Sequence, residues 1–364
     1  MRLCLFEDRG ARDLEPLTQT RPAFDLICGS STLAEQLTAH LPAAELGLLV
    51  RPELADLVRR ERPGVPVNDA DWLRAGPLLL VNGRWLSPHK NSQSFVAING
   101  PCVGRCGDEI AFAFVEPQHL PDDLPDCLDD GLDHLLASLP MVEAGGVVIR
   151  RPWELVERNA EQLRKQFGDR VPPRLGMWSR LGWRPEGTIV LGSAEQLLID
   201  PAARIEPQVL FDTTQGPVTI AAGAVVQAFS RIEGPCHIGA GTHVYGGARL
   251  RGGVTLGPQC RVGGEVECSI VHGDTNKYHD GFLGHSYLGA WVNIGSGAQI
   301  SDLRHDYGEV CVPVRGDAVR SGRAKVGCFL GDHVKVGSGC LLNTGTVAGA
   351  FAQFLPAGRL LPKE

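Results

Sequence analysis

The sequence predicts a two-part chain: an α/β domain followed by a β-solenoid of hexapeptide repeats. Three observations carry this. At 364 residues the chain is too long for one ordinary domain and fits two. Its glycines are unevenly placed, 17 of the 45 in residues 1–215 and 28 in residues 216–364, so the second part obeys a different rule. Aliphatic residues then recur every six positions, at Ile220, Val226, Ile232, Ile238, Val244, Leu250, Leu256 and Val262.

In the first part, short apolar runs alternate with helical stretches. Arg2–Phe6 reads as a buried strand. Residues 31–41 carry helical spacing behind a serine cap. Leu46–Val50 reads as a strand and Glu53–Arg60 as a short helix. Leu78–Val81, Phe95–Asn99 and Ile110–Val115 follow as strands. Gly146–Arg150 precedes Pro152–Phe167, which has proline in the first turn and helical periodicity. Strands alternating with helices predict an α/β sheet. The expected divisions are a domain over 1–186, a linker over 187–197, the solenoid over 198–350 and a tail over 351–364.

A period of six is neither helical nor a simple strand alternation; it is the mark of a triangular coil. Each hexad supplies one flat strand and one corner, and three hexads complete a turn. The aliphatic anchor points into the prism. Glycine follows several anchors, as in Ile238-Gly239, Leu256-Gly257 and Val262-Gly263, where a side chain would clash at the corner. The spacing resumes at Phe282, Leu288, Ile294 and Ile300, and again at Leu330, Val336, Leu342, Ala348 and Phe354. A phase slip of two falls near residues 268–281. Residues 302–315, where the glycine pattern lapses, read as a loop ejected from the prism.

Composition excludes several classes. No apolar run is long enough for a membrane span. Glu7 and Asp8 come too early for a secretory signal. A formal charge of −7 argues against general nucleic-acid binding. Eleven cysteines scattered along the chain do not form a disulfide framework and fit free thiols in a reducing cytoplasm. Cys102 and Cys106 are the one close pair, and no further ligands stand at a metal-binding spacing.

The phase slip gathers polar residues: His272, Lys277, Tyr278, His279, Asp280, His285, Tyr287 and Asn293. The histidine spacing is too wide for a tight zinc motif. A polar surface loop is the plain alternative. The stretch resembles the acetyltransferase domain of the bifunctional N-acetylglucosamine-1-phosphate uridyltransferase/glucosamine-1-phosphate acetyltransferase family. That family reads roughly R-L-R-P-G, N-F-V-E-x-K, G-H-L-x-Y-L-G and V-N-I-G-A-G. This chain has, in the same order, residues 248–253 (ARLRGG), 264–269 (GEVECS), 279–284 (HDGFLG) and 292–297 (VNIGSG). The resemblance implies a left-handed parallel β-helix, acetyl-CoA as cosubstrate, a sugar-phosphate acceptor and a homotrimer.

By position, the resemblance makes His279 the catalytic base that takes the proton of a sugar ammonium. Arg251 would grip the sugar phosphate. Asn293 and Asp302 would bind substrate, and Ser296 would offer a backbone N–H to the thioester carbonyl. Two positions depart from the pattern. Ser269 stands where the family has a phosphate-binding lysine, and Phe282 takes the place of a substrate tyrosine.

Across the whole chain, the sequence resembles sugar nucleotidyltransferases joined to such a β-helix. The opening carries this, in Phe6-Glu7-Asp8, Leu14-Glu15-Pro16-Leu17-Thr18 and Thr20-Arg21-Pro22-Ala23-Phe24-Asp25. The implied N-terminal fold is nucleotidyltransferase-like, that is Rossmann-like α/β. Arg9, Arg12 and Arg21 would contact nucleotide phosphates. Mg²⁺ would be expected between phosphate and protein, with Asn159 as a ligand. The central strand, however, ends in Asn82-Gly83 where the family has a carboxylate. The implied function is sugar-nucleotide biosynthesis, with N-acetylation of an amino-sugar phosphate and nucleotidyl transfer to a sugar-1-phosphate, as toward UDP-N-acetylglucosamine. Two alternatives are nucleotidyl transfer with the β-helix as a trimer stem, and a non-catalytic scaffold.

Overall fold

The computed structural model describes residues 2–40, 45–88, 100–120, 138–170 and 186–363. The chain forms two compact units. The first comprises Met1–Leu14, Thr20–Leu26 and Ser31–Arg151; the second comprises Glu15–Gln19, Ile27–Ser30 and Pro152–Glu364. Among the described residues, no helix is long and apolar enough to cross a membrane.

The first unit is built on a mixed six-stranded sheet. Its strands are β1 (Arg2–Phe6), β2 (Glu45–Leu49), β3 (Leu78–Asn82), β5 (Cys102–Cys106), β6 (Glu109–Val115) and β7 (Met141–Glu143), in the order β2-β1-β3-β6-β5-β7. A separate antiparallel pair joins β4 (Trp85–Leu86) to β8 (Val147–Val148). β1 pairs in parallel with both β2 and β3, while β6 runs antiparallel to β3 and β5. From Leu3 to Phe6 the central strand is buried, which explains its unbroken apolar run. Helix α1 (Leu33–His40) follows it, then α2 (Pro52–Glu61) and α3 (Ala70–Arg74). α2 starts on proline and buries Leu54, Ala55 and Val58 along one face. The strand expected at Phe95–Asn99 lies outside the described residues.

The second unit is a parallel β-helix with helix α4 (Pro152–Arg170) packed on it. The sequence places α4 with the N-terminal domain, but its contacts are with the solenoid. Trp153 meets Phe329 with ring centroids 6.4 Å apart, and Leu155, Val156 and Leu163 are buried. The solenoid has three faces, each an eight-stranded sheet. It begins at Ile189–Leu191, paired with Leu210–Asp212, and reaches Gln353–Phe354, paired with Lys335–Val336. It therefore takes up part of the expected linker and part of the tail. The eight anchors from Ile220 to Val262 all lie in its buried core.

The corner rule has two separate causes. Glycines directly after anchors are required by the neighbouring coil: a Cβ on Gly257 would lie 1.8 Å from the His272 carbonyl oxygen. The left-handed positions of another corner series carry Gln259, Asp274, Trp291, His333 and Phe351, with φ between 48° and 66°, so glycine is not obligatory there.

The phase slip is a shortening of coils at their corners. Leu250 pairs with Val266, Leu256 with Val271 and Val266 with Leu283. The interior residue after the slip is therefore Leu283, fully buried, and not Phe282, which is part-exposed and faces away from the core. Lys277 takes the interior place beneath Val262, where it is 1% exposed. Its Nζ donates to the carbonyls of Gly263 and His279, each at 2.8 Å. The excursion that begins at Asp302 runs beyond Arg315. It contains an antiparallel hairpin, Cys311–Val314 with Asp317–Arg320, and rejoins the prism near Val326 and Gly327.

Candidate functional site

The shortened corner creates the site. Between the faces carrying Val266 and Val271, and again between Leu283 and Leu288, five residues separate anchors instead of six. The backbone at this corner is left-handed at Cys268 (φ 42°) and His285 (φ 47°), as it is at Gly253 (φ 72°) in the preceding coil. Sheet register stacks Glu267 on Gly284 and Leu283 on Ile300. Cys268, His285 and Asp302 therefore stand above one another in three successive coils.

The side chains converge. His285 Nδ1 donates to Asp302 Oδ2 at 2.7 Å. The donor atoms of Glu267, Cys268 and His285 lie within 4.8 Å of one another. Burial alone would push the His285 imidazolium down, but its hydrogen bonds to Asp302 and Cys268 outweigh this and raise its pKa to about 9. His285 is thus flanked by a carboxylate and a thiol. Glu267 is met by Arg251 at 3.0 Å and by Lys325 at 3.5 Å, so its charge is already balanced by two bases.

Cys268, His285 and Lys325 line a cleft of about 610 Å³. Trp153, Val156, Glu157 and Ala160 of α4 form one wall, and Arg323–Val326, returning from the excursion, form another. Arg323 is paired with Glu157, its Nη2 at 3.0 Å from Oε2. The cleft thus joins an apolar wall to a rim of bases.

The residues expected from the sequence fall into groups. Asp302 is part of the corner, and Arg251 flanks it through Glu265 and Glu267. His279 is exposed, its ring edge-on to Tyr278 at 5.9 Å, and it does not line the cleft. His279 and Ser296 belong to a different corner, where Gly297 N–H donates to the Asp280 carbonyl. Asn293 accepts a 2.8 Å hydrogen bond from the Asn276 amide. The backbone N–H of Phe282 donates to Gln299. Cys268 and His285 were not singled out as site residues by sequence reasoning. A signal exists nonetheless: positions 268, 285 and 302 are spaced by 17, one shortened coil each.

Asn159 sits in α4 with its side chain fully buried. Its Oδ1 accepts from Gly29 N–H at 2.7 Å, and its Nδ2 donates to the Gly253 carbonyl at 2.9 Å and to Thr255 Oγ1 at 3.0 Å. The amide ties α4 to the β-helix and has no group left for a metal ion. In the first unit, Asp8 receives a bidentate pair from Arg84, Nε to Oδ1 at 2.7 Å and Nη2 to Oδ2 at 2.6 Å. Arg84 also meets Glu109 at 3.0 Å, and Asn82 Nδ2 donates to Asp8 at 2.7 Å. Arg84 is 1% exposed, and Asp8 and Glu109 raise its pKa against the downward push of burial. Gly10, in the loop expected to wrap phosphate, makes room for this guanidinium: a Cβ there would lie 2.4 Å from Arg84 Cζ. Asn159 is saturated, the strand ends in Asn82 and the nearby Asp8 and Glu109 are already neutralised by Arg84, so these residues do not fit a Mg²⁺ site. Of the expected nucleotide-binding arginines, Arg9 is exposed, Arg12 pairs with Glu53 at 2.7 Å, and Arg21 is part-buried, its carbonyl accepting from Arg51.

Comparison with known proteins agrees with this two-part reading. Over 92 residues the chain is 37% identical to the bifunctional sugar-1-phosphate nucleotidylyltransferase/acetyltransferase of Sulfurisphaera tokodaii, covering 25% of this chain and 23% of that protein. Over 73 residues it is 37% identical to the bifunctional protein GlmU of Methanococcus maripaludis strains C5 and C7, covering 20% of this chain and 18% of each relative. The aligned segments span about a fifth of the length of these curated relatives. Residues 3–169 match the sugar nucleotidyl transferase family.

Proposed function

We propose that the chain is a sugar-nucleotide biosynthesis enzyme whose β-helix unit transfers an acetyl group from acetyl-CoA to the amine of an amino-sugar phosphate. The observation that carries this reading is the His285–Asp302 pair, hydrogen-bonded at 2.7 Å, in a cleft large enough for a sugar phosphate. The chemistry needs a group that accepts the amine's proton as its nitrogen attacks a thioester. Asp302 orients the imidazole and stabilises its cation. Arg323 and Lys325 line the same cleft and supply positive charge toward a phosphate. Similarity to proteins named as acetyltransferases supports acetyl-CoA as the donor. In this reading His285 takes the role that the sequence resemblance gives to His279, with Ser296 and Asn293 binding substrate away from the proton transfer. A homotrimer, in which prisms stand side by side, is part of the proposal, and sedimentation equilibrium measures it.

The test is to incubate the protein with acetyl-CoA and a panel of amino-sugar phosphates and to follow free thiol. Acceptor-dependent release that falls at least 100-fold in His285→Ala but not in His279→Ala is the expected result. No thiol with any acceptor overturns the acetyl-transfer reading, and loss in His279→Ala alone returns the base to His279.

The family match over residues 3–169 favours a second activity, nucleotidyl transfer to a sugar-1-phosphate in the first unit. Pyrophosphate release from nucleoside triphosphates, with and without Mg²⁺, tests it. Asn159, the expected ligand, is fully hydrogen-bonded within the fold, so no metal-dependent step is assigned.

A further inference from the structure

We propose that the shortened corner is a Zn²⁺ site, with Glu267, Cys268 and His285 as ligands, and that its occupancy switches acetyl transfer off by taking His285 out of proton transfer. Metal binding stands on the corner itself; its effect on turnover rests on the acetyl-transfer reading.

The donor set carries it. A Glu267 carboxylate oxygen, Cys268 Sγ and a His285 ring nitrogen all lie within 4.8 Å of one another. Among the described residues, this is the one place where three such donors converge. Bonds of about 2.0–2.3 Å to Zn²⁺ put tetrahedral donors roughly 3.3–3.6 Å apart, so small side-chain rotations close the three on an ion. One thiol, one imidazole and one carboxylate suit Zn²⁺ and not Mg²⁺ or Ca²⁺, which take oxygen ligands. All three residues are part-exposed, and Cys268 and His285 line the cleft. An ion therefore reaches them from solvent, and its fourth position opens toward the cleft. The ligands come from two consecutive coils, stacked with Glu267 on Gly284, so no spacing in the sequence announces them.

Neighbouring groups orient the ligands. His285 Nδ1 stands 2.7 Å from Asp302 Oδ2. With the proton on Nδ1 and donated to Asp302, the lone pair that binds an ion is on Nε2. Arg251 Nη1 donates to Glu267 Oε2 at 3.0 Å, whereas Oε1 meets Lys325 at 3.5 Å. Lys325 is 45% exposed on a flexible stem, so it turns to solvent and yields Oε1 to the ion. Binding sends the Cys268 thiol proton to solvent. The two charges of the ion then meet two anions, the Glu267 carboxylate and the Cys268 thiolate, and no electrons move. An ion on Nε2 occupies the lone pair that takes the amine's proton, so metal binding and proton transfer exclude each other.

The test strips the full chain with EDTA and titrates it with Co²⁺, a coloured substitute for Zn²⁺. The expected result is one Co²⁺ per chain, with a thiolate-to-metal charge-transfer band and tetrahedral d–d absorption. Zn²⁺ should bleach both, and Mg²⁺ should leave them unchanged. Cys268→Ser should remove the charge-transfer band while keeping the wild-type circular dichroism. Asp302→Asn should weaken Zn²⁺ binding by about 10-fold or more, and Lys325→Ala should strengthen it. Cys311→Ser should bind as the wild type does. Absence of the charge-transfer band, or a band that survives in Cys268→Ser, overturns the site. Turnover is followed by mass spectrometry of the acetylated amino-sugar phosphate. It should fall by about 10-fold or more in saturating Zn²⁺ and return with EDTA. If the metal binds as described and turnover does not respond, the switch is overturned and the site stands. If the metal-free chain acetylates no acceptor, the acetyl-transfer reading and the switch fall together, and the cobalt spectra still decide the site.

Discussion

Replacing Asp302 by asparagine tests the charge arrangement of the corner most directly. His285 is raised from 6.5 to about 9 in the folded chain. At about 1.4 kcal/mol per pH unit, this corresponds to roughly 3 kcal/mol of stability tied to the bound proton. Because the folded value is the higher one, that stability is fully present below about pH 6.5 and is lost as pH rises through about 9. Asp302 and Cys268 supply the upward push against burial. Removing the Asp302 charge should therefore bring His285 to about 7 or below and cost about 2–3 kcal/mol near pH 6, with little cost near pH 9.5. Lys277, pushed down to about 8 by burial, gives a slope of the opposite sign, but it is common to both proteins and cancels in the difference. The assays are imidazole proton resonances across this pH range and urea unfolding at its two ends. A wild-type His285 that titrates at or below about 7, or a variant whose destabilisation is the same at both ends, refutes the reasoning.

Asn159→Ala should destabilise by about 2–5 kcal/mol in urea unfolding, since it leaves the buried Gly29 N–H and Gly253 carbonyl without that partner. Leu283→Ala should cost about 2–5 kcal/mol and Phe282→Ala under about 1.5, the reverse of what a strict six-residue phase predicts, and the two melting curves decide it. Gly257→Ala should cost more than about 3 kcal/mol, or abolish folding, by driving Cβ into the His272 carbonyl. Trp291→Gly, at a left-handed position, should change stability by less than about 1 kcal/mol.

The solenoid was legible because each interior position of a coil accepts one aliphatic side chain, so Ile220 to Val262 announce the prism directly. Its interruption was harder to read. A corner shortened by one residue shifts every later anchor, so Phe282 looked like an interior residue and Leu283 did not. Lys277 could not be placed inside from its type, because only its two carbonyl partners make burial tolerable. Cys268, His285 and Asp302 are far apart under a period of six and become neighbours only at the shortened coil length. The family resemblance makes Asn159 a metal ligand, and an amide that caps backbone groups looks the same in sequence as one that ligates an ion. Arg84 lies 76 residues from Asp8, and no local pattern links an internal guanidinium to the carboxylate it neutralises.

The 17-residue coil has a consequence for how such a site could arise or be moved. In an ordinary fold, bringing three reactive groups together requires three separately shaped loops. Here a deletion of a single corner residue, repeated in consecutive coils, creates the turn and aligns the column at once. The prism acts as a ruler, with coil length setting which positions become neighbours. Trimming the same corner in another pair of coils, and planting cysteine, histidine and aspartate 17 apart, should rebuild the column at a different height. Restoring one residue between Val266 and Val271 should dissolve it while leaving the anchors above and below in register.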